Sequence, residues 1–439
     1  MKNELFGTDG IRSQVGVFPL DEASTINLGS ILGILFQKSR ILIGRDTRES
    51  SEFVESLLCR GLSGRANVFS IGVIPTPGLS YITREHGFDY GIMISASHNL
   101  YTDNGLKIFS RTGEKIPEKI EKEIEKLFRT QSHVLPQAPR VTPVDSSDDY
   151  RRFLLENGSG IGDEHFKIVL DCANGAASSY GPEMFGKLGF GTIPIHWLPN
   201  GRDINDQCGS TSPESLQERV IRERADLGIA FDGDADRAIF VDPQGRILDG
   251  EHSIFAISQL LAETEKNFNH VVVGTVMDNL GLEKALTDRG MIFTRTHVGD
   301  KFVYRKMKRT GAILGGEQCG HTILRNLQAT GDGMLTAIFF LKALQRLKIT
   351  AADIYDSLKL FPQKLLSIPI RLKMEIKKWP ALNQLIREFN ERYGSDSRLL
   401  IRYSGTEPKI RIMIESRDPE VIDRQMEKFG SLIKSEIGV

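Results

Sequence analysis

The chain has 439 residues, which at roughly 150 residues per domain corresponds to about three compact units and excludes a single small module. Its 56 Lys and Arg residues against 57 Asp and Glu leave a formal charge of −1, so no global basic field draws it to nucleic acid or to an anionic membrane, and an anionic ligand has to be captured locally. The four cysteines, Cys59, Cys172, Cys208 and Cys319, form no CxxC pair, which argues against a disulfide framework or a zinc ribbon and for reduced thiols.

The N-terminal MKNELFGTDG reaches a Gly/Asp turn without an apolar leader, and the runs Val271–Val273 and Ile338–Leu341 are far too short to cross a bilayer. A cytoplasmic, soluble protein with no membrane contact is the expectation. Two arginine clusters open the chain, Phe6–Arg12 (FGTDGIR) and Gly44–Arg48 (GRDTR); both are compatible with surface ion pairs or with anion binding. Between and after them come a strand from Ile41, an apolar-periodic segment through Cys59, and strands near Val68–Ile71 and Ile92–Ile94, which is alternating β and α.

The third of these strands runs into Ser95-Ala96-Ser97-His98-Asn99. A hydroxyl at the carboxyl end of a buried strand stands where α/β sheets hold ligands, so Ser97 is a candidate nucleophile, although Ser, His and Asn are also ordinary turn formers. Neighbouring residues of an extended chain point apart, so Ser97 and His98 are not expected to act as a pair. Asp103-Asn104-Gly105 reads as a turn leading to Lys107, a lysine that near phosphate charge could shuttle a proton. Ser132–Pro143, with three prolines, reads as a linker.

The pattern then restarts with strand Phe166–Leu170, a helix near Glu183–Leu188, strand Thr192–Ile195, helix Pro213–Ala225 and strand Leu227–Phe231. Directly after that strand stand Asp232, Asp234 and Asp236. Three alternating carboxylates repel one another unless a cation compensates them, and hard oxygen donors select Mg²⁺, Mn²⁺ or Ca²⁺. An EF-hand is excluded, because its sixth and twelfth loop positions are Arg237 and Pro243 here instead of Gly and Glu.

A third round gives helix Ser253–Glu263, strand Val271–Val273, helix Leu282–Arg289, strand Ile292–Thr294, helix Phe302–Arg309 and strand Ala312–Leu314. Gly315–His321 (GGEQCGH) follows, glycines around an acid and an imidazole, suited to a polyhydroxylated ligand or to a plain turn. Beyond Pro362 the style changes to strand Leu366–Leu372, helix Leu382–Tyr393, a hairpin Arg398–Tyr403 with Lys409–Glu415, and a charged helix Pro419–Ile437. The turn Arg402–Pro408 (RYSGTEP), with Arg411 after it, combines hydroxyls, small-residue amides and guanidinium groups as an anion nest would, without a Walker motif. The expected fold is three consecutive related mixed α/β domains, 1–145, 146–249 and 250–362, plus a smaller α+β domain, 363–439.

Taken together, FGTDGIR, GRDTR, SASHN with DNGLK, DCANGA (Asp171–Ala176), CGST (Cys208–Thr211), DGDADR, GTVMDNLGLE, VGD (Val298–Asp300), GGEQCGH and SGTEP resemble the α-D-phosphohexomutase family along the whole chain. The resemblance implies four domains around a central cleft and an isomerase that relocates a phosphate within a hexose or hexosamine monophosphate. It makes Ser97 a phosphoserine and gives Asp232, Asp234 and Asp236, with a phosphoserine oxygen, one Mg²⁺ per subunit. Lys107 and His321 become acid/base groups, and Arg12 and Arg237 steady the transferring phosphate. Glu317 and Cys319 occupy sugar-hydroxyl positions with Gly299 and Asp300 nearby, and Arg402, Ser404, Gly405, Thr406 and Arg411 grip the phosphate that is not transferred. A bisphosphate primer, a small sugar-phosphate substrate and a monomer or homodimer complete the expectation. GEQ, CGST and VMDNLG resemble the glucosamine branch, against a broader glucose or mannose specificity. Five positions depart from the family pattern: Ser13 for glycine, Leu100 for proline, Ser212 for histidine, Cys319 for serine and Tyr403 for lysine or proline.

Overall fold

The computed structural model describes residues 5–130, 138, 140–404 and 408–439. Gly405 and Thr406, and Pro136 and Pro139 of the expected linker, lie outside the described residues. The chain divides into two compact units, Met1–Met277 with Gly290–Ser357, and Asp278–Arg289 with Leu358–Val439.

In chain order the larger unit begins with β1 (Ile11–Gln14), α1 (Glu22–Leu35), β2 (Arg40–Arg45), α2 (Ser51–Leu62), β3 (Asn67–Val73), α3 (Thr76–Glu85), β4 (Tyr90–Ile94), β5 (Asp103–Ser110), α4 (Glu118–Thr130), β6 (Val141–Pro143) and α5 (Ser147–Asn157). These strands form one sheet in the order β1-β5-β4-β2-β3-β6. A second sheet comes from β7 (Lys167–Asp171), α6 (Gly181–Lys187), β8 (Gly191–Ile195), α7 (Glu214–Glu223), β9 (Leu227–Phe231), β10 (Ala238–Val241) and β11 (Ile247–Leu248), in the order β11-β10-β9-β7-β8. After α8 (Gly250–Thr264) come β12 (Val271–Thr275), α9 (Leu280–Thr287), β13 (Ile292–Thr296), α10 (Asp300–Thr310), β14 (Leu314–Gly316), β15 (Thr322–Leu324), α11 (Gly333–Leu347) and α12 (Ala351–Ser357), whose sheet order is β13-β12-β14-β15. The smaller unit holds α9 and an antiparallel sheet of β16 (Gln363–Pro369), β17 (Ser397–Tyr403) and β18 (Lys409–Ser416), with α13 (Pro380–Tyr393) and α14 (Pro419–Ile437).

The first three sheets share one motif. Three parallel strands are followed by a fourth that runs antiparallel beside the third, giving β5-β4-β2-β3, β10-β9-β7-β8 and β15-β14-β12-β13. The three related α/β units expected from the alternation are therefore one topology used three times. Their inner strands read as unbroken apolar runs because both faces are covered: Ile41, Leu42 and Ile43, Ile168, Val169 and Leu170, and Val272 and Val273 are all fully buried. Each such side chain stabilises the fold by about 1.5–3 kcal/mol through burial.

Two expectations are corrected. Asp103-Asn104-Gly105 is no turn; it opens β5, with Gly105 paired to Arg12 of β1. The glycine serves close packing, since a Cβ there would stand 2.5 Å from the Ser95 carbonyl oxygen and 2.6 Å from that of Ile11. Val141–Pro143, expected within a linker, is an edge strand parallel to β3; an edge tolerates the missing N–H of proline. The run Ile338–Leu341, read only as apolar, belongs to α11, where Asp332 caps the helix by accepting from Leu335 N at 2.9 Å.

Candidate active site

The three polar loops read from the sequence connect the third and fourth strand of each sheet: residues 95–102 between β4 and β5, 232–237 between β9 and β10, and 317–321 between β14 and β15. An antiparallel partner turns the chain straight back, so each loop is short and held at both ends by the ladder.

Ser97 is buried and stands at φ 52°, the left-handed region that costs a non-glycine residue roughly 1–2 kcal/mol. Its backbone is held there by hydrogen bonds: its N–H donates to Ser95 Oγ at 2.8 Å, and its carbonyl accepts from Arg48 Nη2 at 3.0 Å and Asn205 Nδ2 at 2.8 Å. The side chain donates to Asp232 Oδ2 at 2.7 Å. Its Oγ also lies 3.3 Å from His98 Nδ1, which corrects the expectation that the two side chains diverge. That expectation assumed extended backbone, and the left-handed turn at Ser97 removes it.

The carboxylate oxygens of Asp232, Asp234 and Asp236 gather within 4.8 Å of one another, all buried. A first compensating cation comes from the chain itself: Lys107 Nζ donates to Asp234 Oδ2 at 2.7 Å and Asp236 Oδ2 at 2.8 Å, and lies 3.3 Å from Asp9. Burial opposes the Lys107 charge, but these three carboxylates outweigh it and hold its pKa well above the usual lysine range. Thr76 Oγ1 adds a 2.6 Å bond to Asp234 Oδ2.

Burial, with the Asp236 and Asp234 charges, pushes Asp232 up to about 7, whereas at Asp236 the neighbouring Lys107, His321 and Arg237 overcome burial and hold the carboxyl well below its ordinary range. Among the described residues Oδ1 of Asp234 and Oδ1 of Asp236 are buried without a hydrogen-bond partner. Orphaned, hard oxygen donors in a cluster with excess negative charge fit a divalent cation.

Around this core Arg12 pairs with Asp9 and donates to Asn99 Oδ1 at 3.3 Å. Lys115 bridges Asp9 and Asp300, the latter at 2.6 Å. Arg237 Nε stands 3.8 Å from both Asp232 and Asp236. His321 Nε2 accepts from Gly331 N at 3.0 Å and Nδ1 faces Asp236 at 3.5 Å. The Gly331 bond requires a lone pair on Nε2 and so selects the Nδ1–H tautomer. Against burial, Asp236, Asp300 and Glu317 favour a second proton and raise His321 to about 9, and taking that proton means releasing Gly331.

Glu317 Oε1 accepts from Gly299 N at 2.9 Å, and burial raises its pKa. Cys319 is exposed on the same loop, yet the protein packed around its thiol, with Glu317, raises it to about 11. In the smaller unit Arg402 lies directly opposite Arg411 across β17 and β18, and Ser404, buried, donates its N–H to Lys409 O at 2.8 Å.

The larger unit thus brings together Ser97, Lys107, Arg12, the three aspartates, Arg237, Gly299, Asp300, Glu317, Cys319 and His321. Reading the sequence missed Asp9, Thr76, Lys115, Arg48 and Asn205. Asp9 and Arg48 sit inside the two arginine clusters and were within reach of that reading. Thr76, which meets Asp234 across 158 residues of chain, carries no local signal.

Four family models match in succession: phosphoglucomutase/phosphomannomutase α/β/α domain I over residues 3–134, domain II over 148–245, domain III over 249–361 and the C-terminal domain over 365–430. The chain is 41% identical to the phosphoglucosamine mutase of Solibacter usitatus over the full length of both proteins. It is 42% identical to that of Thermus thermophilus over 94% of each chain. Among solved structures, a phosphoglucomutase/phosphomannomutase family protein from Burkholderia thailandensis superposes with a TM-score of 0.81 over both whole chains at 21% identity. An N-acetylphosphoglucosamine mutase from Aspergillus fumigatus, in complex with GlcNAc-6P and magnesium, gives 0.68 at 17% identity, covering 98% of this chain and 95% of that one. These two likenesses concern the fold.

Proposed function

The chain belongs to the phosphoglucomutase/phosphomannomutase family, and on that premise we propose that it is an isomerase interconverting glucosamine 6-phosphate and glucosamine 1-phosphate through a phosphoserine at Ser97 and a bisphosphate intermediate. The observation that carries the reaction class is the buried Ser97 hydroxyl, 2.7 Å from a carboxylate of the acidic loop. The full-length identity to phosphoglucosamine mutases supports the choice of sugar.

In this reading a free sugar hydroxyl attacks the phosphorus on Ser97, the new O–P bond forms as the bond to Oγ breaks, and the proton of the sugar hydroxyl must leave while Oγ is neutralised. Lys107, beside Asp9, Asp234 and Asp236, and His321, in the neutral form that accepts from Gly331 N, are the acid/base pair of that exchange, one giving a proton as the other takes one. Arg12 and Arg237 counter the charge of the phosphoryl group. Asp232, Asp234 and Asp236 would hold Mg²⁺, which when bound supplies electrostatic neutralisation of phosphoryl oxygens. Glu317 accepts from sugar hydroxyls beside Gly299, Asp300 and Cys319, and Arg402, Ser404 and Arg411, with Gly405 and Thr406, bind the second phosphate. A hexose or hexosamine bisphosphate primes the cycle by giving one phosphoryl group to Ser97 and departing as the monophosphate.

The test is kcat/KM for glucosamine 6-phosphate, glucose 1-phosphate and mannose 1-phosphate on one preparation with Mg²⁺ and a bisphosphate primer. A preference of tenfold or more for glucosamine, about 1.4 kcal/mol in transition-state binding, is expected. Equal rates would overturn the glucosamine assignment in favour of a broader hexomutase. Ser97→Ala should abolish turnover and leave sugar-phosphate binding measurable; full activity in that variant would overturn the phosphoserine.

A further inference from the structure

Outside the catalytic cluster, three different donor types converge from three segments: Asp171 at the end of β7, His196 just after β8, and Cys208 in the following loop. Their Oδ, ring nitrogen and Sγ atoms lie within 4.8 Å of one another, with His196 Nδ1 3.2 Å from Asp171 Oδ1.

We propose that Asp171, His196 and Cys208 form a second metal site, for Zn²⁺ or a similar borderline transition ion. One carboxylate, one imidazole and one thiolate are the donors that Zn²⁺ takes in three-ligand sites with an open fourth position, and they discriminate against Mg²⁺, which takes oxygen donors. The two metal sites therefore differ in the ion they select.

The trio is prepared for ligation. Asp171 is oriented by two backbone donors, Ala173 N to Oδ1 at 2.9 Å and Gly209 N to Oδ2 at 2.9 Å, and each oxygen keeps a further lone pair. Cys208 is buried, and its thiol makes a long contact, 3.9 Å, to the Asp203 carbonyl. Among the described residues His196 Nδ1 is buried without a well-directed hydrogen bond, and the ring borders an open cavity lined also by Ser215, Glu218, Arg219 and Arg222. Binding releases the Cys208 thiol proton to solvent and changes no oxidation state; a divalent ion against one carboxylate and one thiolate leaves the site neutral.

The site is also tied to the catalytic loop. Asn174 N donates to His196 O at 2.7 Å, and Asn205, three residues before Cys208, donates its N–H to Ala173 O at 3.0 Å and its Nδ2 to Ser97 O at 2.8 Å. An ion held here braces the segment that grips the Ser97 carbonyl, whichever sugar the enzyme turns over.

Co²⁺ titrated into chelator-treated full-length protein at saturating Mg²⁺ tests the proposal through the thiolate-to-cobalt charge-transfer absorption. One equivalent is expected to develop that absorption in the parent protein, in Asp234→Asn and in Cys172→Ala. Cys208→Ser should remove it. His196→Gln, at a half-buried position that folding tolerates more readily, should weaken Co²⁺ binding at least tenfold. Absence of the band in the parent protein, or its persistence in Cys208→Ser, would overturn the site, as would unchanged Co²⁺ affinity in His196→Gln.

Discussion

Arg48 Nη2 donates to the carbonyl oxygen of Ser97 at 3.0 Å, from a guanidinium that is itself fully buried and paired with Asp46 at 2.9 Å. The same group donates to the carbonyls of Asn99 at 2.7 Å, Asp103 at 3.0 Å and Leu100. One planar fork thus spans the whole turn between β4 and β5 and holds Ser97 in its left-handed conformation. The geometry uses what arginine has and lysine lacks, several donors in fixed directions.

Arg48→Lys keeps the charge beside Asp46 but cannot reach four carbonyls. The expected result is a fall in kcat of at least tenfold with KM changed little, since the loop that aims Oγ loosens while the sugar contacts remain. Arg48→Ala additionally leaves the buried Asp46 uncompensated and should cost about 3–5 kcal/mol of stability, read from denaturant unfolding. A fall in kcat/KM carried by KM alone would contradict the positioning role.

Gly331 touches the His321 ring so closely that a Cβ would stand 2.5 Å from Cε1 and from Nε2. Gly331→Ala must therefore displace the imidazole, and if His321 is the acid/base group proposed above the expected cost is roughly 10²–10⁴ in kcat. Overpacking of this kind costs about 1–3 kcal/mol in stability, so the protein should still fold. Steady-state rates on the folded variant check this, and near-parent activity would remove His321 from proton transfer.

Cys319 is exposed but its thiol is raised to about 11, so at neutral pH it is almost wholly protonated and a poor nucleophile. Alkylation by iodoacetamide at pH 7.5 should run well below the rate of a free cysteine and climb as the pH rises toward 10. Cys319→Ser should retain turnover. A fast reaction at pH 7 would mark the thiol as redox-sensitive.

Asp332 caps α11 while buried against Tyr150, whose hydroxyl donates to Oδ2 at 2.9 Å. Burial raises its carboxyl from the ordinary 3.8 to about 6. Because the folded value lies above the unfolded one, the native state favours the protonated form. Its stabilising contribution is complete below about pH 4 and is lost as the pH rises through 6, on the order of 2–3 kcal/mol. Asp332→Asn should flatten that part of the stability profile between pH 4 and 6 in urea titrations. An unchanged profile would show that Asp332 ionises without cost.

The sequence by itself determined the order of elements, the three-fold α/β pattern and the polar loops on which the candidate site residues stand. Strands covered on both faces read as unbroken apolar runs, and the residues after them, Ser97, Asp232 to Asp236 and Glu317, are polar because the chain surfaces there. Helix α14 matches its expected bounds, Pro419–Ile437, since a proline start and an amphipathic charge pattern are local signals. What only the tertiary structure decided depends on partners far away in the chain. Lys107 finds its charge partners in Asp234 and Asp236, 127 and 129 residues distant. Ser97 meets Asp232 across 135 residues and takes a left-handed turn that no neighbouring residue requires. Asp103-Asn104-Gly105 looked like a turn because its residue types favour one; pairing with Arg12–Gln14 of β1 imposes a strand instead. Local propensity is worth a fraction of a kcal/mol per residue, and burial and pairing of a whole strand outweigh it.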